Sequence, residues 1–277
     1  MPPGSFFDDS TVRGYFIDFR AKTLSPEAKA PSRLLPADLA QLALGWWDRG
    51  LAGDQRTMEA FEYLCTILEQ RAEIEGDEWR WAYHVEIPKY KIEPPTYSAM
   101  AQAQIASTFV RAYLAGGNAR HAEVALAAVR PLVKGGDSDL VSVTSAGPVL
   151  EESPSNPPSH ILNGWIYSLW GLWDVAVALG DEGARVAYSA TLNCLRQMLD
   201  KYDIGWWTRY SLYPHRLPDL AKPFYHRLHI DQMEVLYRVT GFDEFGSAAR
   251  RWRGYDTPVR RAAAIAQKIT FVATRYA

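Results

Sequence analysis

Residues 97–133 read YSAMAQAQIASTFVRAYLAGGNARHAEVALAAVRPLV, and this stretch decides the fold. A helix begins near Tyr97 and stops at Gly116-Gly117, a pair suited to ending helices. A shorter partner follows from Ala119 to about residue 133, so the two fold back on each other as a helical hairpin. The same unit recurs on both sides. Upstream, Leu39, Leu42, Ala43, Trp46 and Trp47 lie on a helix that starts near Pro36 and ends at Gly50. Met58, Phe61, Leu64, Cys65 and Leu68 have helical spacing on a second, over about 57–73. Downstream, residues 161–179 and 182–202 form a third pair. Residues 229–240 and 242–253 form a fourth, and a last helix runs near 259–276.

Long connections separate these hairpins, which recur at spacings of about 55–70 residues. The first connection contains Trp81, Tyr83, Val85 and Ile87 in period two before Pro88, which reads as a strand or small hairpin. The second contains the strand-like VSVTSAG and then VLEESPSNPPS. The third, in residues 202–236, is aromatic and basic and carries Pro214, Pro218 and Pro223, which argue against helix over most of its length. The expected fold is mainly α, with helical hairpins forming a partial α/α toroid and small β hairpins in the long connections. An ordinary helical bundle with long loops fits the same periodicity. Residues 1–35 read as an extended arm, and residues 36–277 as one catalytic domain.

The chain has 277 residues, 48% of them hydrophobic, enough for one large domain with a proper core. A formal net charge of −2 argues against general nucleic-acid binding, which needs a basic surplus. The ten Trp and fifteen Tyr suit sugar stacking as well as core filling. Cys65 and Cys194 fall within helical patterns and read as buried free thiols. The N-terminus MPPGSFFDDS has neither a basic stretch nor an apolar one, and no apolar run reaches the length of a membrane span. A cytoplasmic protein without membrane contact is expected.

Candidate chemistry gathers in the connections. The first supplies Tyr83, His84, Glu86, Lys89, Glu93 and Tyr97. The second supplies Glu151 and Glu152, with Asn163 and Tyr167 at the following helix start. The third supplies Arg209, Tyr210, Tyr213, His215, Tyr225, Arg227 and His229. No serine nucleophile elbow, glycine-rich phosphate loop or paired Cys/His spacing occurs. His226 and His229 have no carboxylate third ligand nearby, so no metal is expected, and no cofactor either. Glu151 and Glu152 are adjacent and cannot flank one glycosidic bond, so a hydrolase would need a second acid such as Glu93 or Asp219.

KIEPPTYSAMAQAQIASTFVRAY, LEESPSNPPSHILNGWIYSLWGLWD, YDIGWWTRYSLYPH and FYHRLHIDQMEVL together resemble the D-glucuronyl C5-epimerases of heparan sulfate and heparin biosynthesis. The resemblance runs from the first helical hairpin to about Trp252 and is to the C-terminal, mainly helical domain of those enzymes. Their β-rich N-terminal portion has no evident counterpart in these residues. The resemblance implies a partial α/α toroid, a homodimer, and conversion of D-glucuronate to L-iduronate within an anionic glucuronate-containing polysaccharide. It places the catalytic glutamate on Glu152 and two catalytic tyrosines on Tyr210 and Tyr225. The family's tyrosine directly after the glutamate is Ser153 here, and Tyr213 is the candidate to replace it. The family's arginine after the first tyrosine falls near Tyr213 or Arg216.

Epimerisation removes the C5 proton beside a carboxylate and returns one from the other face. The carboxylate must be neutralised as charge enters it, and Arg209, Arg227 and His229 are suitable types. Tyr97, Glu93, Asn163, Tyr167 and Tyr213 complete the expected substrate-binding set. Glu152 would work one face and Tyr225 or Tyr210 the other, provided burial raises the glutamate's pKa and nearby positive charge lowers the phenol's. A uronate lyase shares the first step, and a glycoside hydrolase or a non-catalytic glycan-binding relative would use the same surface.

Overall fold

A computed structural model describes residues 34–51 and 55–274. The expected arm lies outside the described residues. Among those described, the helices are α1 (Pro36–Leu51), α2 (Gln55–Gln70), α3 (Ala99–Gly116), α4 (Ala119–Val133) and α5 (Leu162–Ala178), followed by α6 (Glu182–Met198), α7 (Pro223–Thr240), α8 (Asp243–Arg253) and α9 (Pro258–Ala273). Two antiparallel hairpins interrupt them: β1 (Glu73–Glu75) with β2 (Glu78–Arg80), and β3 (Val141–Thr144) with β4 (Gly147–Leu150). The protein is mainly helical with small two-stranded sheets, as the periodicity implied.

Within each hairpin the first helix lies inside and the second covers it. α3 packs against both α1 and α5, and α5 also meets α7. α3 is buried along most of its length, from Ala99 to Ala112, and α5 likewise from Leu162 to Ala176. Burial on all sides places both helices in the interior, with the polar side chains of α3, such as Gln102, hydrogen-bonded there. Gly171 permits the close approach of these two helices: a Cβ there would stand 2.2 Å from the carbonyl oxygen of Ala103. The same contact contains a buried ion pair, Arg111 Nη1 to Asp174 Oδ2 at 2.7 Å. The outer helices α4 and α6 bury only one face, with Val124, Ala128 and Leu132 on α4 and Leu192, Leu195 and Met198 on α6.

Helix starts follow local chemistry. Ser98 caps α3 by accepting from Ala101 N, and Asp181 caps α6 by accepting from Ala184 N. The fourth hairpin departs from expectation. α7 starts at Pro223, six residues before His229, because proline at a first helical position gives up a donor that would be unpaired anyway. The first connection also differs. Trp81 and Tyr83 are buried, but Val85 is exposed, and the segment pairs with its own return only at Tyr83 with Thr96 and Ile87 with Ile92. The period-two pattern there forms no continuous strand, and the paired strands lie just upstream. Cys65 and Cys194 are free and buried, as expected. No described helix is long and apolar enough to cross a membrane.

Candidate active site

The four inner helices α1, α3, α5 and α7 each begin at one shared cavity of about 420 Å³. Asp38 of α1, the cap residue Ser98 of α3, Asn163 of α5 and Tyr225 of α7 all line it from first-turn or cap positions. The three long connections complete the wall with Lys89, Glu152 and Tyr210. The glutamate, both tyrosines and two of the binding residues expected from sequence, Tyr97 and Asn163, are therefore brought together.

The loop after β4 sends its two glutamates to opposite fates. Glu151 is buried and structural. It accepts from Ser142 Oγ (2.6 Å), Ser159 Oγ (3.0 Å) and His160 N (2.9 Å), and pairs with His160 Nδ1 (2.6 Å). Burial would raise its pKa, but the hydrogen bonds and charge of His160, with Ser142, outweigh burial and hold it below the usual carboxylate value. Glu152 faces the cavity. Asn163 Nδ2 donates to its Oε2 at 3.4 Å. Gly164 is what admits it, since a Cβ at that position would lie 2.1 Å from Oε2. Burial lifts the Glu152 pKa to about 7, against the opposing charge of Lys89 and a hydrogen bond from Tyr210. A carboxyl tuned to that value is suited to general-base work near neutrality.

Tyr210 is held by its backbone. Its N–H donates to Asp219 O at 2.7 Å, and its carbonyl accepts from Leu162 N at 3.1 Å at the start of α5. Its ring meets that of Tyr225 edge-on, with centroids 4.9 Å apart. Burial and then the charge of Glu152 push Tyr210 well above the ordinary phenol range, and the same two causes push Tyr225 up to about 12. A hydrogen bond from Tyr210 partly opposes the rise at Tyr225. This corrects the expectation that nearby positive charge would lower a phenol. Both tyrosines are neutral donors at pH 7, and the ionisable group poised to accept a proton is Glu152.

Lys89 sits on a one-turn 3₁₀ segment, Pro88–Tyr90, at the tip of the first connection. Its ammonium pairs with Asp219 and lies 4.4 Å from the centre of the Tyr210 ring and 4.7 Å from that of Tyr90. Asp219 is fully buried, pairs also with Lys268 of α9, and accepts from Ser211 Oγ at 2.9 Å. Burial lowers the Lys89 pKa to about 8, with Lys268 adding to the fall and Asp219 opposing it. Burial would raise Asp219, but the two lysines outweigh it and hold its pKa below the usual value.

The remaining expected residues lie elsewhere. Tyr97 puts its ring on the cavity wall but turns its hydroxyl to Glu73 Oε2 at 2.5 Å. Tyr167 is buried within α5, and Tyr213 packs behind the wall against Tyr90, with centroids 5.4 Å apart. Tyr213 therefore does not fill the place left by Ser153, which itself lines the cavity; the further phenols on the wall are Tyr83 and Tyr90. Glu93 and Arg227 are exposed and outside the cavity. Arg209 is half-buried on a backbone bridge to Leu220, away from the lining. His229 is buried beside Thr208, 3.2 Å from Nδ1 to Oγ1, and burial holds its pKa well below the ordinary value, so it carries no charge at neutral pH. None of the three cations expected to meet a carboxylate lines the cavity. Trp207 is buried and stacks on His226 at 3.7 Å, and Trp206 packs against the core. Among the described residues no group of three His, Cys, Asp or Glu is placed to hold a metal.

Comparison with known proteins places this geometry in context. Residues 75–254 match the family described as D-glucuronyl C5-epimerase C-terminus. A D-glucuronyl C5-epimerase of Caenorhabditis elegans is 29% identical over 201 residues, 65% of this chain and 33% of that protein. An uncharacterized protein of Methanocaldococcus jannaschii is 29% identical over 178 residues, 62% of this chain and 56% of that protein. The chain thus spans a third and just over half of these relatives' lengths. Among solved structures, a sugar epimerase from a ruminal bacterium superposes with a TM-score of 0.56 at 14% identity, over 79% of this chain and 58% of that one. A D-mannose isomerase superposes with a TM-score of 0.56 at 9% identity, over 92% and 70%. At such identities these two likenesses concern the fold.

Proposed function

The chain belongs to the D-glucuronyl C5-epimerase C-terminal family, and from that premise we propose that its cavity epimerises D-glucuronate to L-iduronate residues within an anionic polysaccharide. The observation that carries this reading is one carboxyl with a pKa near 7 and two neutral phenols, one of them hydrogen-bonded to it, on the wall of one cavity. Glu152 in its ionised form takes the C5 proton. The electron pair moves into the adjacent carboxylate as an enediolate. Tyr225 or Tyr210 then gives a proton to C5 from the opposite face, and the resulting phenolate recovers its proton from Glu152 or solvent. Pre-placed donors in a partly dry cavity stabilise the developing charge more than water would.

In this reading residues 36–277 act as one catalytic unit, and α1, α3, α5 and α7 form the inner wall of a partial α/α toroid with the reacting sugar at their N-terminal ends. The assembly is a homodimer. The cavity volume falls in the range of small-ligand sites, so one sugar is enclosed while the polymer continues outward.

Incubation of a glucuronate polymer in D2O tests the proposal. Deuterium at C5 without ultraviolet absorbance supports epimerisation. An absorbing unsaturated product would instead mark a lyase, new reducing ends a hydrolase, and binding with neither label nor product a non-catalytic relative.

A further inference from the structure

The cavity holds a charge device that the family match does not describe, because α9 begins beyond residue 254. Among the described residues lining the cavity, Lys89 is the one cation. It shares a single buried carboxylate, Asp219, with Lys268. Two ammonium groups thus share one buried carboxylate, and the other acid acting on Lys89 is the cavity's own Glu152.

We propose that Lys89 binds the carboxylate of the substrate sugar and makes the cavity selective for a uronate over the neutral hexose. We assign Lys268 as a positioning residue that occupies Asp219 and leaves Lys89 free to do so. The inference rests on the C5-epimerisation reading for the identity of the acid sugar. Three observations carry it. The ammonium lies on the cavity wall against the face of Tyr210, one of the two phenols, so a carboxylate held there brings its α-carbon toward the proton donors. The charged and titratable groups acting on Lys89 are Asp219, Lys268 and Glu152, with the rings of Tyr90 and Tyr210 against it. The other cavity acid, Asp38, acts instead on Tyr83 and Tyr225. Finally, the inner helices present their N-terminal ends to the same space, which favours an anion there.

The test is calorimetric binding of a glucuronate oligosaccharide and of its carboxyl-reduced counterpart to the full chain. The unmodified protein should prefer the acid sugar. Lys89→Met should lose about tenfold or more of that preference, the size of a charge-assisted hydrogen bond. Lys89→Arg should retain most of it. In Lys89→Met the buried Asp219 keeps Lys268, so the fold retains its counter-ion. Lys268→Met should weaken the preference, because Asp219 then claims Lys89 alone. It should also move the alkaline limb of binding upward, because Lys89 loses a like-charged neighbour. Unchanged preference in Lys89→Met, an unmodified protein without preference, or a Lys268→Met protein with unaltered preference and pH limb would each overturn the proposal. Acid-sugar preference without C5 exchange would sink the epimerase reading and leave this one standing. C5 exchange with preference intact in Lys89→Met would do the reverse.

Discussion

The α3–α5 contact and the cavity at the helix starts both bury charge, but they balance it differently. Between the helices, Arg111 and Asp174 form one pair at 2.7 Å with both side chains almost fully enclosed. Each charge has its partner, and nothing is left for a ligand. At the cavity, Asp219 is shared by two lysines, while Glu152 has only an amide, a phenol and the field of Lys89 to offset its burial. The first arrangement holds helices together. The second leaves groups whose needs a substrate can meet, and it does so at a cost in stability.

That contrast can be broken by exchanging what each region is asked to do. The largest expected effect is on turnover: Glu152→Gln should lower C5 exchange by about 10²–10⁴-fold, the usual share of a general base. Near-normal exchange would remove Glu152 from proton transfer. Next comes the helix contact. Asp174→Ala strands the Arg111 charge and should cost about 3–5 kcal/mol in a urea titration. A loss below ~1 kcal/mol would mean that the pair is wetter than its burial implies. A smaller effect of opposite sign is expected for the stability of Glu152→Gln. The Glu152 pKa is raised in the fold, so between its unfolded value and about 7 the folded state binds the extra proton and stability falls as pH rises. Removing the carboxylate should therefore stabilise the protein by about 1–3 kcal/mol at pH 8 and by little at pH 4. Equal stabilisation at both pH values would contradict the linkage. The smallest effect is expected at Glu93→Ala and Arg227→Ala, both exposed and off the cavity, where exchange should stay within about twofold of the parent.

The helical framework was legible because its signals are local. α3 starts two residues from the expected point, and the spacing of Leu39, Leu42 and Ala43 marks the buried face of α1. Pro223 misled because a proline reads as a helix breaker until its position is known; at a first turn it begins the helix and carries Tyr225 with it. The helix then separates neighbours in sequence. Arg227 lies two residues beyond Tyr225, and residues so spaced point to different faces, which is why one lines the cavity and the other is exposed. Glu152 could be found from its motif. Lys89 is among the candidates of the first connection, but its place beside Tyr210 and Asp219 needs the fold, which turns it inward and leaves Lys91 exposed. The Asp219–Lys268 contact joins residues 49 apart, a separation with no local signature.

The pH dependence of deuterium entry at C5 of a glucuronate polymer tests the central claim most directly. With Glu152 as the base at a pKa of about 7, exchange at saturating polymer should rise through neutrality, and Glu152→Gln should abolish that limb. A profile already flat from pH 5 upward, or the same rising limb in the variant, would contradict the account.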